Sequence, residues 1–299
     1  RRGVVSELVQ NLVDGIGRGS TYALLALGIS LIFGVMHLVN FAHAELITVG
    51  AYVAYYLSTR GLGWWALAPA IVLVAVLAAM TSERLVFRWV RNASPFTMLL
   101  ASFALEQLSH ACWAVFVSPN KRSFPGPGWA FDTVEVAGIR FEVMDLVTIA
   151  TTFVVLLATA FVFRRTMFGI SVRAASEDFD AARLMGVRSN QVIRGAFALS
   201  GALAGIAGIF WLMRAGQVTP AAGVTPMLKG VLAALIGGMG SLRGAVIGGF
   251  ALGIAEVFLR SWLPSGIVGL TDGVVFLLIA VLFIFRPQGI ITVPHAERV

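Results

Sequence analysis

The sequence predicts an all-α fold: a polytopic integral membrane protein of about 8–9 transmembrane helices with broken or re-entrant segments, forming a single domain over residues 1–299. Three observations carry that reading. Of the residues, 58% are hydrophobic and only 12% charged, roughly half the charge of a soluble domain, and mean hydropathy is +0.88. Apolar runs of bilayer length recur along the chain, with arginines concentrated in the short stretches between them. Two glycine-interrupted pairs of short apolar runs, Gly28 to Gly50 and Gly237 to Gly253, read as helices broken within the membrane.

The formal charge of +7 would suggest nucleic acid in a soluble protein. Here the arginines sit between spans, so they set topology; the surrounding partner is membrane lipid, not nucleic acid. Cys112 is the single cysteine. It excludes an internal disulfide, and its apolar run predicts a small buried hydrophobe. The first residues are polar and no small-residue cleavage site follows a short apolar core, so no cleavable leader is expected.

Val4 to Gly17 mixes apolar residues with Glu7, Gln10, Asn11 and Asp14, and reads as an interfacial helix leading into the first span, Thr21 to Val35. Met36 to Glu45 is polar, yet a second apolar run follows at once to Leu57. Two spans with no loop between them predict a helix break at membrane depth, tolerated only where protein or a water-filled cavity covers it. Trp64 and Trp65 anchor the third span, Ala66 to Met80, at the interface. Glu83, Arg84, Arg88 and Arg91 mark its cytoplasmic end. Phe96 to Val117 is the fourth span and carries Glu106, Gln107 and His110. Ser118 to Glu142, with Pro125-Gly-Pro-Gly128, reads as an outer loop. Asp145 to Phe163 is the fifth span, and Arg164 and Arg165 bring the chain back inside.

Beyond a charged stretch described below, Arg194 opens the sixth span, where Gly201, Ala204, Gly205 and Gly208 allow close helix approach. Gly216 to Pro226 is an outer loop. Gly230 to Met239 is a short apolar run broken by Gly237-Gly-Met-Gly-Ser-Leu-Arg-Gly244. Ala245 to Phe258 follows, Ser261 to Leu270 turns outside, and Gly273 to Phe285 is the last span, stopped by Arg286-Pro287. With nine spans the N-terminal end lies outside; with the segment around Asn40 re-entrant it lies inside.

No phosphate-binding glycine loop and no nucleophile elbow is present, and the four histidines lack metal-ligand spacing. The chain reads as no enzyme. Asn40, His43 and Glu45 are the notable polar set, because ionisable groups at membrane depth suggest function. They either line a pathway or satisfy each other and the backbone freed by the break. Glu106 and Glu256 pose the same question. Arg243 reads as a topology anchor.

Arg173 to Arg188 is the most charged stretch of the chain, lying between two apolar runs. It predicts a helix outside the hydrocarbon over about 176–186. Ser176 would cap it, with Glu177, Asp178 and Asp180 in the first turn and Gly186 as a left-handed stop. Phe179, Ala182 and Met185 recur at helical spacing as an apolar ridge, with Arg183 on its flank. Such a helix is either a solvated loop or a surface for docking another protein.

Gly19-Ser-Thr-Tyr-Ala-Leu-Leu-Ala-Leu-Gly28, Gly34, Asn40-Phe-Ala-His-Ala-Glu45 and Gly50-Ala-Tyr52 resemble the start of branched-chain amino-acid ABC transporter permeases of the LivH type, the hydrophobic amino-acid uptake family. Ala181-Ala-Arg-Leu-Met-Gly-Val187, Leu235 to Gly249 and Arg286-Pro-Gln-Gly289 resemble it too, so the likeness covers almost the whole chain. Ala44 stands where the family usually has Gly. The resemblance implies an importer subunit of the bacterial inner membrane, with no cofactor of its own. It implies a homologous second permease (LivM-like), two cytoplasmic ABC ATPases that bind ATP and Mg, and a periplasmic substrate-binding protein. Glu177, Asp178, Phe179, Ala182, Arg183, Met185 and Gly186 would then form the ATPase-coupling helix, and Asn40, His43 and Glu45 the translocation pathway. Leucine, isoleucine and valine are the implied substrates; related permeases carry urea, amides or aromatic acids. An ion-coupled secondary transporter is the rival of another class.

Overall fold

A computed structural model describes residues 2–136, 139–264, 266 and 268–285. The helices are α1 (Arg2–Met36), α2 (His43–Thr59), α3 (Trp64–Val90), α4 (Pro95–Phe116), α5 (Val143–Arg165), α6 (Met167–Glu177), α7 (Phe179–Leu184), α8 (Ser189–Ala215), α9 (Val224–Gly237), α10 (Leu242–Trp262) and α11 (Thr271–Phe285). Six of them, α1, α3, α4, α5, α8 and α10, are long and apolar enough to cross a membrane, and α9 and α11 are shorter apolar helices. With the 17-residue α2, this matches the expected range of about 8–9 spans.

α1 is the centre of the bundle. It is one continuous helix of 35 residues, about 52 Å long, where an interfacial helix followed by a separate span was expected. The polar residues near its start do not interrupt it because they find partners within the protein. Asn11 Nδ2 donates to Ser261 Oγ at 3.0 Å, and Gln10 Nε2 donates to Asp14 and to the Arg140 carbonyl, each at 2.8 Å. α10 lies antiparallel against α1 through small residues. A Cβ on Gly253 would sit 2.3 Å from the Gly19 Cα, and one on Gly249 would sit 2.4 Å from the Ala23 Cα. α8 meets α3 in the same way: a Cβ on Gly201 would come within 2.8 Å of the Ala75 carbonyl oxygen. Without a hydrophobic driving force between helices in lipid, such backbone approach supplies the packing.

α3 runs past its expected end at Met80, through a π-helical turn at Glu83–Phe87. Glu83 is buried on that turn, with the Arg194 guanidinium 3.6 Å away. The loop before α5 is less irregular than expected. β1 (Arg122–Ser123) pairs antiparallel with β4 (Gln217–Val218), and β2 (Thr133–Val136) with β3 (Ile139–Glu142). Cys112 is exposed, not buried, because α4 is scarcely covered by the rest of the chain. Arg286-Pro287, the motif ending at Gly289, and His295 lie outside the described residues.

Met36, Arg91, Arg183 and Arg188 gather around one cavity at one end of the bundle. Their charge assigns that end to the cytoplasm. Gln10 of α1 meets Arg140 of β3 at the opposite end, so α1 enters from outside, as the nine-span alternative requires.

Candidate translocation and coupling sites

α1 stops at Met36, and His37 takes a left-handed φ of +53°. The chain turns through Asn40, whose Oδ1 accepts from the Ala42 amide at 3.0 Å while its carbonyl accepts from the His43 amide at 3.2 Å. Asn40 therefore builds the turn that starts α2. Phe41 N donates to Ser102 Oγ at 3.2 Å, which ties the break to α4. The break is thus held against α4 at the cytoplasmic end, with Asn40 buried and His37 exposed.

His43 is fully buried. Its Nδ1 lies 3.3 Å from Ser200 Oγ, and Ser200 Oγ donates to the Gly28 carbonyl at 2.9 Å. His43 thus faces α1 and α8. Glu45 is two residues on, about 200° around the helix, and faces α4. Its Oε2 accepts from Trp113 Nε1 at 3.2 Å, and the Trp113 ring stacks on Tyr52 at 4.3 Å. Glu45 Oε1 is buried with no hydrogen-bond partner among the described residues. The three side chains therefore do not converge on one point: Asn40 shapes the turn, His43 points into the α1–α8 seam, and Glu45 points toward the sparsely covered helix. Glu106 is buried on that same α4 and accepts from Gln107 at 2.7 Å.

At the cytoplasmic end the expected helix over about 176–186 is two helices. Asp178 is extended (φ −148°, ψ 110°) and ends α6. Its Oδ1 accepts from the Asp180 and Ala181 amides, both at 2.9 Å, and so caps α7. Ser176 is not the cap: its hydroxyl donates to the Arg173 carbonyl inside α6. Glu177 is the last residue of α6. Gly186 is the left-handed stop, at φ +89°. The break resets the helical register, so the ridge divides. Phe179 is half-buried against the core and Ala182 is buried. Leu184 and Met185 stand out instead, 89% and 86% exposed. Arg183 faces an 830 Å³ cytoplasmic cavity with Arg91, Arg188 and Arg194.

A second polar centre lies at the outer end. Lys229, buried on α9, donates from Nζ to Glu256 Oε2 at 2.9 Å and to Tyr22 Oη at 3.2 Å, and lies 3.0 Å from Asp272 Oδ1. Tyr22 Oη donates to Glu256 Oε2 at 2.7 Å. Arg214 bonds Asp145 nearby. Sequence reasoning singled out Glu256 but missed Lys229. The signal was available: a lysine embedded in the apolar run around Met227 needs a partner.

Comparison with known proteins gives this architecture a relationship. The family model described as "Branched-chain amino acid transport system / permease component" matches residues 11–285. The chain is 30% identical to the high-affinity branched-chain amino acid transport system permease protein BraD of Pseudomonas aeruginosa, covering 97% of this chain and 98% of the relative. It is 30% identical to LivH of Escherichia coli, covering 97% of both. It is 29% identical to a probable LivH of Methanocaldococcus jannaschii, covering 89% of this chain and 87% of that one. A multi-pass bundle with a break between its first two helices, a capped cytoplasmic helix and a family match over nearly its whole length lead to one conclusion: this chain belongs to the branched-chain amino acid transport permease family.

Proposed function

We propose that the chain translocates branched-chain or other hydrophobic amino acids, working beside a homologous second permease and two cytoplasmic ATPases, with a periplasmic binding protein delivering substrate. ATP and Mg belong to the ATPases. Family membership sets aside the ion-gradient alternative. The observation that carries the coupling half of this reading is α7: a short, capped helix at the cytoplasmic end that presents Leu184 and Met185 to solvent. Exposed apolar knobs on a rigid helix are suited to a groove on a partner. Asp178, Phe179, Ala182 and Gly186 hold that helix in place, and Glu177 and Arg183 are its polar flanks.

The test is co-purification and ATP hydrolysis of the reconstituted complex. Leu184→Ala together with Met185→Ala should weaken ATPase association about tenfold or more, since truncating a buried anchor costs about 2 kcal/mol. Substrate-stimulated hydrolysis at wild-type level, with the ATPases still bound, would rule α7 out as the transmission element. On the pathway side, Glu45 faces α4, whose surface the chain leaves largely uncovered. That placement supports a pathway along α2 and α4, closed by the second permease. Glu45→Gln should lower uptake while the complex still assembles; normal uptake removes Glu45 from the pathway.

A further inference from the structure

The outer polar centre encloses a cavity of 460 Å³, within the roughly 300–1,000 Å³ range of small-molecule sites. It is separate from the break between α1 and α2. On α1 it is reached at Arg18 to Tyr22, and Tyr22 lies roughly 9 Å outward of Gly28, against which His43 packs. Phe131 and Glu142, from the outer segment between α4 and α5, line its mouth.

We propose that this cavity binds a free zwitterionic α-amino acid. Arg18 and Arg260 take the carboxylate, Glu142 the ammonium, and Trp211, Met144 and Phe131 receive the side chain. The charges select the ligand class. Arg18, Arg214, Lys229 and Arg260 line the cavity with Glu142, Glu256 and Asp272, and Arg214 is paired with Asp145 behind it. Both signs line one space, with Arg18, Lys229 and Arg260 drawn to Glu256 and with Glu142 in no ion pair among the described residues, which suits a zwitterion better than a bare ion of either sign.

The bonding shows which groups are committed. Lys229, Tyr22 and Glu256 Oε2 form a closed set with short contacts. Arg18 and Arg260 reach the other oxygen, Glu256 Oε1, only at 3.4 and 3.7 Å. A charge-assisted bond is about 2.7–2.9 Å, so both guanidinium groups keep N–H donors for a second carboxylate. Thr21 Oγ1 and Arg214 Nε, both on residues that line the cavity, are buried and have no hydrogen-bond partner among the described residues. A mere helix staple needs the Lys229 set. It does not need two loosely engaged arginines beside an open space.

The inference rests on the amino-acid reading above only for its first probes. The experiment is equilibrium binding of labelled L-leucine, L-isoleucine and L-valine to the complete complex in nanodiscs, without the binding protein. Wild type should bind at least one of them saturably. Arg18→Gln and Arg260→Gln should each weaken binding at least tenfold, Arg260→Lys should restore part of it, and leucinamide, which lacks the carboxylate, should not compete. Both arginines are partly exposed, with side chains 27% and 44% accessible, so their removal leaves the Lys229 set intact. Binding unchanged in both glutamine variants, or leucinamide competing as well as leucine, would overturn the proposal. Should a variant fail to assemble, the competition result on wild type decides. If no loaded binding protein stimulates hydrolysis with the branched-chain three, the substrate reading fails, and the cavity is then tested with the other common α-amino acids. Absence of saturable binding across that panel overturns the cavity as a site.

Discussion

Lys229 shows how a single side chain is placed by its surroundings. It is 5% accessible in a helix that carries no other charge, and it touches carboxylates from two other helices. Removing one partner of a buried ion pair strands the other, at a cost of about 3–5 kcal/mol. Lys229→Met should therefore lower the amount of folded protein in the membrane, measured by detergent-extracted yield and thermal unfolding. Lys229→Met with Glu256→Gln should recover part of the loss, since it removes both charges. Glu256 was visible in the sequence because it is an isolated acid in an apolar run. Its partners were not, because Tyr22 and Lys229 lie 234 and 27 residues away, and no periodicity reports such a pairing.

Helices were legible wherever an apolar run ended in arginine, proline or glycine, and least so where polar residues continued a helix. α1 outran its expected start because Asn11 and Gln10 bond to the protein. The charged helical segment before α8 was located but misread in detail, since Ser176 and Asp178 are both good caps on propensity and only the fold chooses between them. Asp178→Ala should cost α7 about 1 kcal/mol. The expected result is a loss of ATPase stimulation with membrane insertion intact, checked by stimulated hydrolysis against expression level. The glycines of α10 make a sharper test of helix packing. Gly253→Leu would drive a side chain into Gly19, whose Cα already lies 2.3 Å from where a Cβ would sit. The complex should fail to accumulate, whereas Gly63→Leu, with nothing within 4 Å, should be tolerated.

Across the whole molecule, the direction of every span follows from one assignment: the arginine-rich end is cytoplasmic. An impermeant thiol reagent applied from outside should label Gly128→Cys and not Asp180→Cys. The background must be Cys112→Ala, because Cys112 is itself exposed on α4. The opposite labelling would invert the molecule and place the proposed amino-acid cavity on the wrong side. The span count came close from hydropathy alone, since that signal is local. The central position of α1 did not, because it depends on contacts between the two ends of the chain.

That central position bears on how the protein is made. Asn11 and Arg18 enter the membrane long before their partners Ser261 and Glu256, which lie 250 and 238 residues downstream. Until α10 leaves the ribosome, α1 waits in the bilayer with its polar face unanswered, so the bundle closes only after α10 has been made. Chains halted after α8 should therefore be short-lived and held by insertion or quality-control factors, while chains halted after α10 should persist. Pulse–chase of stalled translation products would time that closure.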